Sequence, residues 1–149
     1  MTEIAQRFKS FADRLADFAV QGMEGYNVKE GGWTVAQVIH HITDATVMYL
    51  SRVLLVLSNE TPTLVPFDQD MLASYPFSSD DRSILSLEIP LLQHLCNKFA
   101  LILDGLSVEQ IKRTGFHPEI GEVSLEDLAK RCIEHNESHL RQIQAVLGD

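Results

Sequence analysis

The chain has 149 residues, of which 45% are hydrophobic and 22% are charged, and its formal net charge at pH 7 is −9. That length suits one globular domain over residues 1–149, and the acidic balance argues against binding to the phosphate backbone of nucleic acid. No apolar run approaches the roughly 20 residues of a membrane span, and the chain starts without a secretory pattern, so we expect a cytoplasmic protein without a membrane partner.

The first half of the chain predicts two amphipathic helices. In the first helix, apolar residues recur every three or four positions until the chain reaches Gly22 and Gly25. These apolar residues are Ile4, Phe8, Phe11, Leu15 and Phe18. The second helix begins at Thr34, which forms a capping-box pattern with Gln37, and it runs to about Leu57.

The second half of the chain predicts two more long helices and no strand pairing. One helix covers roughly residues 80–103, with Pro90 expected to kink it or to mark a fresh start. Its apolar positions are Leu87, Leu91, Leu95 and Ile102. The other helix begins at a second predicted capping box, formed by Ser124 and Asp127. Four long helices indicate an all-α four-helix bundle, with long crossover loops over residues 59–79 and 105–123.

His41, His135 and His139 are the candidate metal ligands. His135 and His139 are four residues apart, so they face the same side of the fourth helix. A third imidazole from another helix would complete a three-nitrogen site with an open position. The spacing alone leaves alternatives, because a lone His41 is more often a hydrogen-bonded core histidine, and the buried pair would need polar partners if no metal were bound.

Other polar residues have plainer expected roles. His40 is expected at the surface or at a helix contact, and His94 and His117 are expected to be solvated or in loops. Asp44 follows His41 by one helical turn, so it would either orient a metal ligand or act as an ordinary surface or capping group.

Four segments, in chain order, resemble the DinB superfamily and its YfiT-like branch. Residues 32–44 (GWTVAQVIHHITD) resemble the signature of its second helix, and residues 57–70 (LSNETPTLVPFDQD) resemble the loop that follows. Residues 116–121 (FHPEIG) resemble its His-Pro-Glu turn, and residues 135–143 (HNESHLRQI) resemble its closing motif. The branch often has a further histidine at the position of Ser138, so this chain departs from the pattern there.

The resemblance implies a DinB-type bundle that binds one divalent metal ion, commonly nickel or zinc, through His41, His135 and His139. It also implies a choice of activities. The first is a thiol S-transferase that joins a low-molecular-weight thiol such as bacillithiol to a small electrophile. The alternatives are a metal-dependent hydrolase of a small molecule and a non-catalytic metal-binding stress-response bundle. A homodimer is expected, because members of the superfamily resemble one another in forming two-fold dimers.

The transferase is the favoured alternative. A metal held by neutral imidazoles lowers the pKa of a thiol or a water molecule at its open position. Cys96 and Cys132 are expected in helix interiors as reduced thiols, where an apolar setting raises the thiol pKa, so the nucleophile would be exogenous. Cys132, one turn before the histidine pair, is the rival as a fourth ligand. The apolar loop over residues 61–77 would cover the electrophile, and Asp68 or Asp70 would meet a polar group of the thiol.

Overall fold

A computed structural model describes residues 2–18, 32–75 and 81–148 of the chain. Four long helices account for most of the described residues, and two short helices and two short strands lie in the connections between them. In chain order the elements are α1 (Glu3–Phe18), α2 (Val35–Ser58), α3 (Gln69–Ser74), α4 (Asp81–Gly105), α5 (Val108–Ile111), β1 (Thr114–His117), β2 (Gly121–Ser124) and α6 (Leu125–Leu147). The predicted helix stop at Gly22 and Gly25 lies outside the described residues.

Local capping chemistry sets the starts of α2 and α6. Thr34 accepts a hydrogen bond from the Gln37 amide at 3.1 Å, and the Gln37 side chain accepts one from the Thr34 amide at 2.8 Å, so the predicted capping box is confirmed. Ser124 caps α6 by accepting from the amide of Asp127 at 3.0 Å, which is the half of the predicted second capping box that the structure shows. Gly148 ends α6 with a φ of 81°, in the left-handed region that glycine adopts without a steric penalty.

The buried face of α4 differs from the predicted one. Leu87 and Leu91 are 66% and 41% exposed, while the side chains that enter the core lie on a neighbouring stripe. That buried stripe consists of Leu85, Ile89, Leu92, Cys96, Phe99 and Leu103. The stacked rings of Phe8 and Phe99, with centroids 4.4 Å apart, fix this orientation against α1. Pro90 lies within the helix, which continues on both sides of it.

A two-stranded antiparallel hairpin, β1 with β2, corrects the expectation that no strands would pair. Its register joins Thr114 to Ser124 and His117 to Gly121. A further parallel bridge links Thr63, in the connection after α2, to Phe116 in β1. The two long connections of the bundle therefore contact each other. Strands of four residues are too short to show the alternating pattern by which strands are recognised in a sequence.

The helices enclose one hydrophobic core. In this core, α1 packs mainly against α4, and α2 contacts both α4 and α6. The short helix α3 packs against α2 and covers part of its outer face. No helix within the described ranges is long and apolar enough to cross a membrane. The packing of α2 on α6 is the contact that matters for the site described next.

Candidate metal centre

The contact between α2 and α6 brings the three predicted histidines together. His41 comes from α2, and His135 and His139 come from successive turns of α6. The Nε2 atoms of His41 and His135 are 3.1 Å apart, and one ring nitrogen from each of the three histidines lies within 4.8 Å of the others. The α6 pair shares a face because a spacing of four residues is close to one helical turn. The cluster is therefore formed by two elements far apart in sequence.

The three imidazole rings meet edge to face. The ring centroids of His41 and His135 are 5.0 Å apart, those of His41 and His139 are 4.9 Å apart, and those of His135 and His139 are 4.6 Å apart. The interplanar angles run from 69° to 81°. The Trp33 ring packs on His41 at a centroid distance of 5.1 Å, so the tryptophan of the capping segment also supports the site. With these ring orientations, one nitrogen of each histidine lies within 4.8 Å of the others.

Burial keeps two of the imidazoles neutral. Burial, together with charge repulsion from the neighbouring histidines, lowers the pKa of His41 and of His135 to about 4. Near neutral pH each ring therefore has an unprotonated nitrogen with a free electron pair. Such nitrogens are the form in which histidine binds metal ions.

A side chain on α6 orients the third imidazole. The Nδ1 atom of His139 lies 2.9 Å from the Oε1 atom of Gln142, one turn further along the helix. Because a carbonyl oxygen only accepts, Nδ1 carries the hydrogen and the electron pair of Nε2 is left available. The Nδ1 atom of His135 is buried and has no hydrogen-bond partner among the described residues.

The donor set fits a divalent metal ion. A tetrahedral zinc ion at about 2.0–2.1 Å from nitrogen separates its ligands by about 3.3 Å, close to the 3.1 Å between the Nε2 atoms of His41 and His135. Among the described histidines, cysteines, aspartates and glutamates, the group that could hold an ion contains these three histidines alone. Three nitrogen donors without a fourth protein ligand are typical of open, catalytic sites.

Cys132 does not join the histidine group, although it lies one turn before His135. Its thiol is fully buried and faces the Thr46 hydroxyl at 4.0 Å. Asn136 donates to the same hydroxyl at 2.9 Å. Burial raises the pKa of Cys132 to about 12 and raises the pKa of Cys96 well above its usual value. Both cysteines are unpaired and buried, as predicted, and neither is positioned as a nucleophile.

A small cleft opens beside His41. It comprises about 160 Å³ of space between the outer face of α2 and the covering segment that contains α3, part of which is open solvent, and it has no interior room for a water molecule. Its walls are largely apolar, with one carboxylate. The lining residues are His41, Asp44, Ala45, Phe67, Gln69, Leu72 and Ala73. Phe67 and α3, which line this cleft, belong to the loop over residues 61–77 that is predicted to cover an electrophile, and residues 76 and 77 of that loop lie outside the described residues.

The carboxylate of Asp44 is linked through His40 to a buried acid on α4. His40 Nδ1 lies 2.6 Å from Glu88 Oε1, and His40 Nε2 lies 3.4 Å from Asp44 Oδ2. His40 thus makes the predicted helix contact. Burial raises the pKa of Asp44, and the nearby His40 partly opposes that shift. Asp44 lies beside the histidine cluster as a cleft-wall residue.

Four other polar residues singled out from the sequence do not line the cleft. Asp68 caps α3 by accepting from the Met71 amide at 2.9 Å, and Asp70 is exposed in the first turn of that helix, so neither lines the cleft. His94 is exposed, as predicted. His117 is only 7% exposed, which corrects its expected solvation, because its Nδ1 accepts from the Glu119 amide at 3.1 Å inside the hairpin turn.

Two residues near the site were not predicted from the sequence. Glu88 is buried in α4, where nothing local marks it, because its partner His40 lies 48 residues earlier in the chain. Arg52 is buried in α2 and donates to the Val65 carbonyl at 2.9 Å. Its guanidinium lies over the rings of Tyr49 and Phe67, at 5.5 and 5.0 Å from their centroids. Arg52 could have been singled out from the sequence, because it is a charged residue on the apolar face of α2.

Comparison with known proteins gives consistent matches. The family model described as "DinB superfamily" matches residues 2–143. A protein of Bacillus pumilus (strain SAFR-032), named "Putative metal-dependent hydrolase", is 30% identical over 148 residues, covering 99% of this chain and 81% of that protein. A protein of Bacillus cereus (strain 03BB102) with the same name is 29% identical over 116 residues, covering 78% of this chain and 65% of that protein.

A solved structure has the same fold. YfiT from Bacillus subtilis aligns with a TM-score of 0.81 and 26% sequence identity, over 97% of this chain and 83% of that one. It is described as "a probable metal-dependent hydrolase with an unusual four-helix bundle topology". The predicted four-helix bundle is therefore confirmed.

Proposed function

Since the chain belongs to the DinB superfamily, we propose that it is a metal-dependent enzyme whose single divalent ion is held by His41, His135 and His139. The observation that carries the proposal is the convergence of three imidazole nitrogens within 4.8 Å, two of them on rings kept neutral by burial. The names of the relatives in Bacillus pumilus and Bacillus cereus support metal dependence. Nickel and zinc both suit imidazole ligands.

The reaction that we propose is the transfer of a low-molecular-weight thiol to a small electrophile. A bound divalent ion would supply a Lewis acid that lowers the pKa of a thiol or a water molecule beside it. The protein's own thiols, Cys96 and Cys132, are buried with raised pKa values, so the sulfur must come from outside, for example from a thiol of the bacillithiol type. Phe67, Leu72 and Ala73 would bind the apolar part of the electrophile and exclude water.

Hydrolysis is the second candidate. The relatives are named as metal-dependent hydrolases, and Asp44 lies on the cleft wall next to His41, where a carboxylate could accept a proton from water. A purely structural metal site is less favoured. Structural zinc sites are usually closed by four protein ligands, whereas the described group offers three.

Metal content tests the ligand assignment. Protein purified without a histidine tag should contain about one nickel or zinc ion per chain by elemental analysis. His41→Ala, His135→Ala and His139→Ala should each lower metal occupancy by about tenfold or more under competition with a chelator, because each removes one of three ligands. The matched control is His94→Ala, which removes an exposed imidazole. Full occupancy in all three variants would overturn the assignment.

Thiol dependence separates the two activities. We expect the metal-loaded protein to consume an aromatic electrophile only when a low-molecular-weight thiol is added, and Cys132→Ser should leave that rate nearly unchanged. An ester hydrolysed at the same rate with and without thiol would favour the hydrolase instead. Loss of both metal and activity in Cys132→Ser would make Cys132 a fourth ligand and would contradict the open site.

A further inference from the structure

A series of buried hydrogen bonds fixes the side chain of Asn136, which follows the proposed ligand His135 in α6. Thr46 on α2 donates its hydroxyl hydrogen to the Ile42 carbonyl at 2.6 Å, so the hydroxyl oxygen is left to accept. Asn136 donates to that oxygen from Nδ2 at 2.9 Å, and both side chains are fully buried. The orientation of the amide follows from this bond, because only its nitrogen can donate. Its oxygen is therefore directed away from Thr46.

Two buried polar atoms at this point lack hydrogen-bond partners among the described residues. One is Oδ1 of Asn136, which is an acceptor, and the other is Nδ1 of His135. The opposite nitrogen of the His135 ring, Nε2, lies 3.1 Å from Nε2 of His41, inside the histidine cluster. If that Nε2 atom binds a metal ion through its electron pair, Nδ1 carries the hydrogen and becomes a donor. The two atoms without partners are then complementary.

The positions of these two atoms on α6 allow them to meet. Successive residues of an α-helix point about 100° apart, so adjacent side chains contact each other only through atoms close to the backbone. Nδ1 of His135 and Oδ1 of Asn136 are such atoms, because each is bonded to the γ-carbon of its side chain. Burial lowers the pKa of His135 to about 4, whereas the Asn136 side chain opposes that shift, as a hydrogen-bond acceptor does. The two side chains therefore lie near each other.

We propose that Asn136 is a positioning residue for the metal centre: its Oδ1 atom accepts the Nδ1 hydrogen of His135 and holds that ring with Nε2 unprotonated. This inference rests on the proposed function, because it concerns the metal ion that His135 would bind. The bond extends the series from His135 through Asn136 and Thr46 to the carbonyl of Ile42, the residue after His41. The ring of one ligand is thereby linked to the backbone beside another ligand.

Zinc affinity, measured in competition with a chelator, tests the role of Asn136. Asn136→Leu keeps the approximate size of the side chain and removes the acceptor, so it should weaken zinc binding by about tenfold. Asn136→Asp keeps an acceptor at the same position and should retain most of the natural affinity. Rescue by aspartate is expected only if the acceptor, and not the packing of the side chain, is what the metal centre needs.

Two threonines of α2 provide a matched pair of variants. Thr46 and Thr43 are both buried, and each donates to the carbonyl four residues earlier, at 2.6 and 2.7 Å. Of the two, Asn136 donates to Thr46 alone. Thr46→Val releases the amide and should weaken zinc binding, by a smaller factor than Asn136→Leu. Thr43→Val makes the same change of shape and removes the same kind of bond, but it should keep the natural affinity.

Nitrogen NMR of the histidine rings gives a readout that a purely structural role of Asn136 would not change. In the metal-free natural protein near neutral pH, the His135 ring should carry its hydrogen on Nδ1, with Nε2 unprotonated. Asn136→Leu should move that hydrogen to Nε2 in a measurable fraction of molecules. His139 is the internal control, because its Nδ1 atom faces Gln142 at 2.9 Å and its tautomer should stay the same.

The outcomes separate this inference from the function on which it rests. Natural zinc affinity in Asn136→Leu, an unchanged His135 tautomer in that variant, or equal losses in Thr46→Val and Thr43→Val would each overturn the role of Asn136 and leave the three ligands standing. If the natural protein binds neither zinc nor nickel, or if His135→Ala binds them as the natural protein does, the ligand assignment fails and the inference falls with it. Should circular dichroism show that Asn136→Leu is unfolded, the two threonine variants decide the question.

Discussion

At the scale of single residues, burial acts in opposite directions on neighbouring side chains of α6. It lowers the pKa of His135 to about 4 and raises the pKa of Cys132, one turn earlier, to about 12. In both cases burial disfavours the charged form. The consequence differs for the two groups, because a neutral imidazole can bind a metal ion whereas a neutral thiol is a poor nucleophile.

The metal-free protein should lose stability in mild acid. His41 and His135 have a pKa of about 4 when folded and about 6.5 when unfolded, so the unfolded chain binds more protons between these values. The free energy of unfolding is therefore undiminished by these two histidines above about pH 6.5. It decreases as the pH falls from 6.5 toward 4. We expect about 1–2 kcal/mol less stability per histidine at pH 5 than at pH 7.

Urea unfolding at both pH values measures this loss. His41→Phe should reduce the difference in unfolding free energy between pH 7 and pH 5, because it removes one titrating ring. His94→Ala, which changes an exposed histidine, should leave the difference unchanged. Equal unfolding free energies of the natural metal-free protein at the two pH values would contradict the prediction.

At the scale of elements, an arginine from the hairpin segment completes the C-terminal end of α2. Arg113 donates from Nε to the Val56 carbonyl at 2.9 Å and from Nη2 to the Asn59 carbonyl at 2.7 Å. It also lies 3.7 Å from the Glu60 carboxylate. The last turn of α2 has no basic residue of its own. Arg113 therefore supplies both the donors and the positive charge that favour a helix C-terminus.

Arg113→Ala should lower the free energy of unfolding by about 1–2 kcal/mol, since it leaves helix-end carbonyls without these charged donors. Chemical denaturation measures the change. Lys112→Ala is the control, because it removes a neighbouring exposed cation. A similar effect in both variants would show that general charge, and not the contacts of Arg113, stabilises the end of α2.

The elements that the sequence predicted are those with local signals. Thr34 and Ser124 cap their helices through bonds to residues three positions away, and a motif of that length is visible in a sequence. The buried face of α4 was not predictable in this way, because α4 has two overlapping apolar stripes and its packing against α1 and α2, including the stacking of Phe8 on Phe99, buries one of them. The periodicity of apolar residues predicted where the helix lies in the chain but not which of its faces is buried.

The candidate site shows the same limit. The spacing of His135 and His139 and the motif around His41 predicted the histidine cluster, whose three rings converge as expected. The partner of His40 could not be predicted from the sequence, because Glu88 contacts it only through the packing of α4 on α2. Asp68 was expected to serve a ligand, but the start of α3 uses its carboxylate as a cap.

At the scale of the whole molecule, α4 presents an apolar stripe outside the core. Leu87 is 66% exposed and Leu91, one turn later, is 41% exposed, while Leu101 is 74% exposed and lies on the same side about 15 Å further along the helix axis. Exposed apolar patches on a helix commonly mark association surfaces. We propose that this face of α4 forms the expected two-fold homodimer.

Light scattering tests this assembly. The chain should scatter at about twice its mass of 16.8 kDa, and Leu87→Lys combined with Leu101→Lys should shift it toward the monomer, because charges would face each other across the two-fold axis. Val65→Lys, at a side chain that is equally exposed but lies outside α4, should remain dimeric. A monomeric natural protein at working concentrations would contradict the proposal.

The bridge between the two long connections determines how the cleft can open. Leu64 donates to the Phe116 carbonyl at 2.7 Å, and Phe116 donates to the Pro62 carbonyl at 2.8 Å. Together with the bond from Arg52 to Val65, these contacts fasten the start of the covering segment to the hairpin and to α2. Lifting that start would break three hydrogen bonds at once, whereas α3 is a six-residue helix that packs mainly against α2. The position of the start of the covering segment over α2 is therefore set by the hairpin as well as by α2 itself.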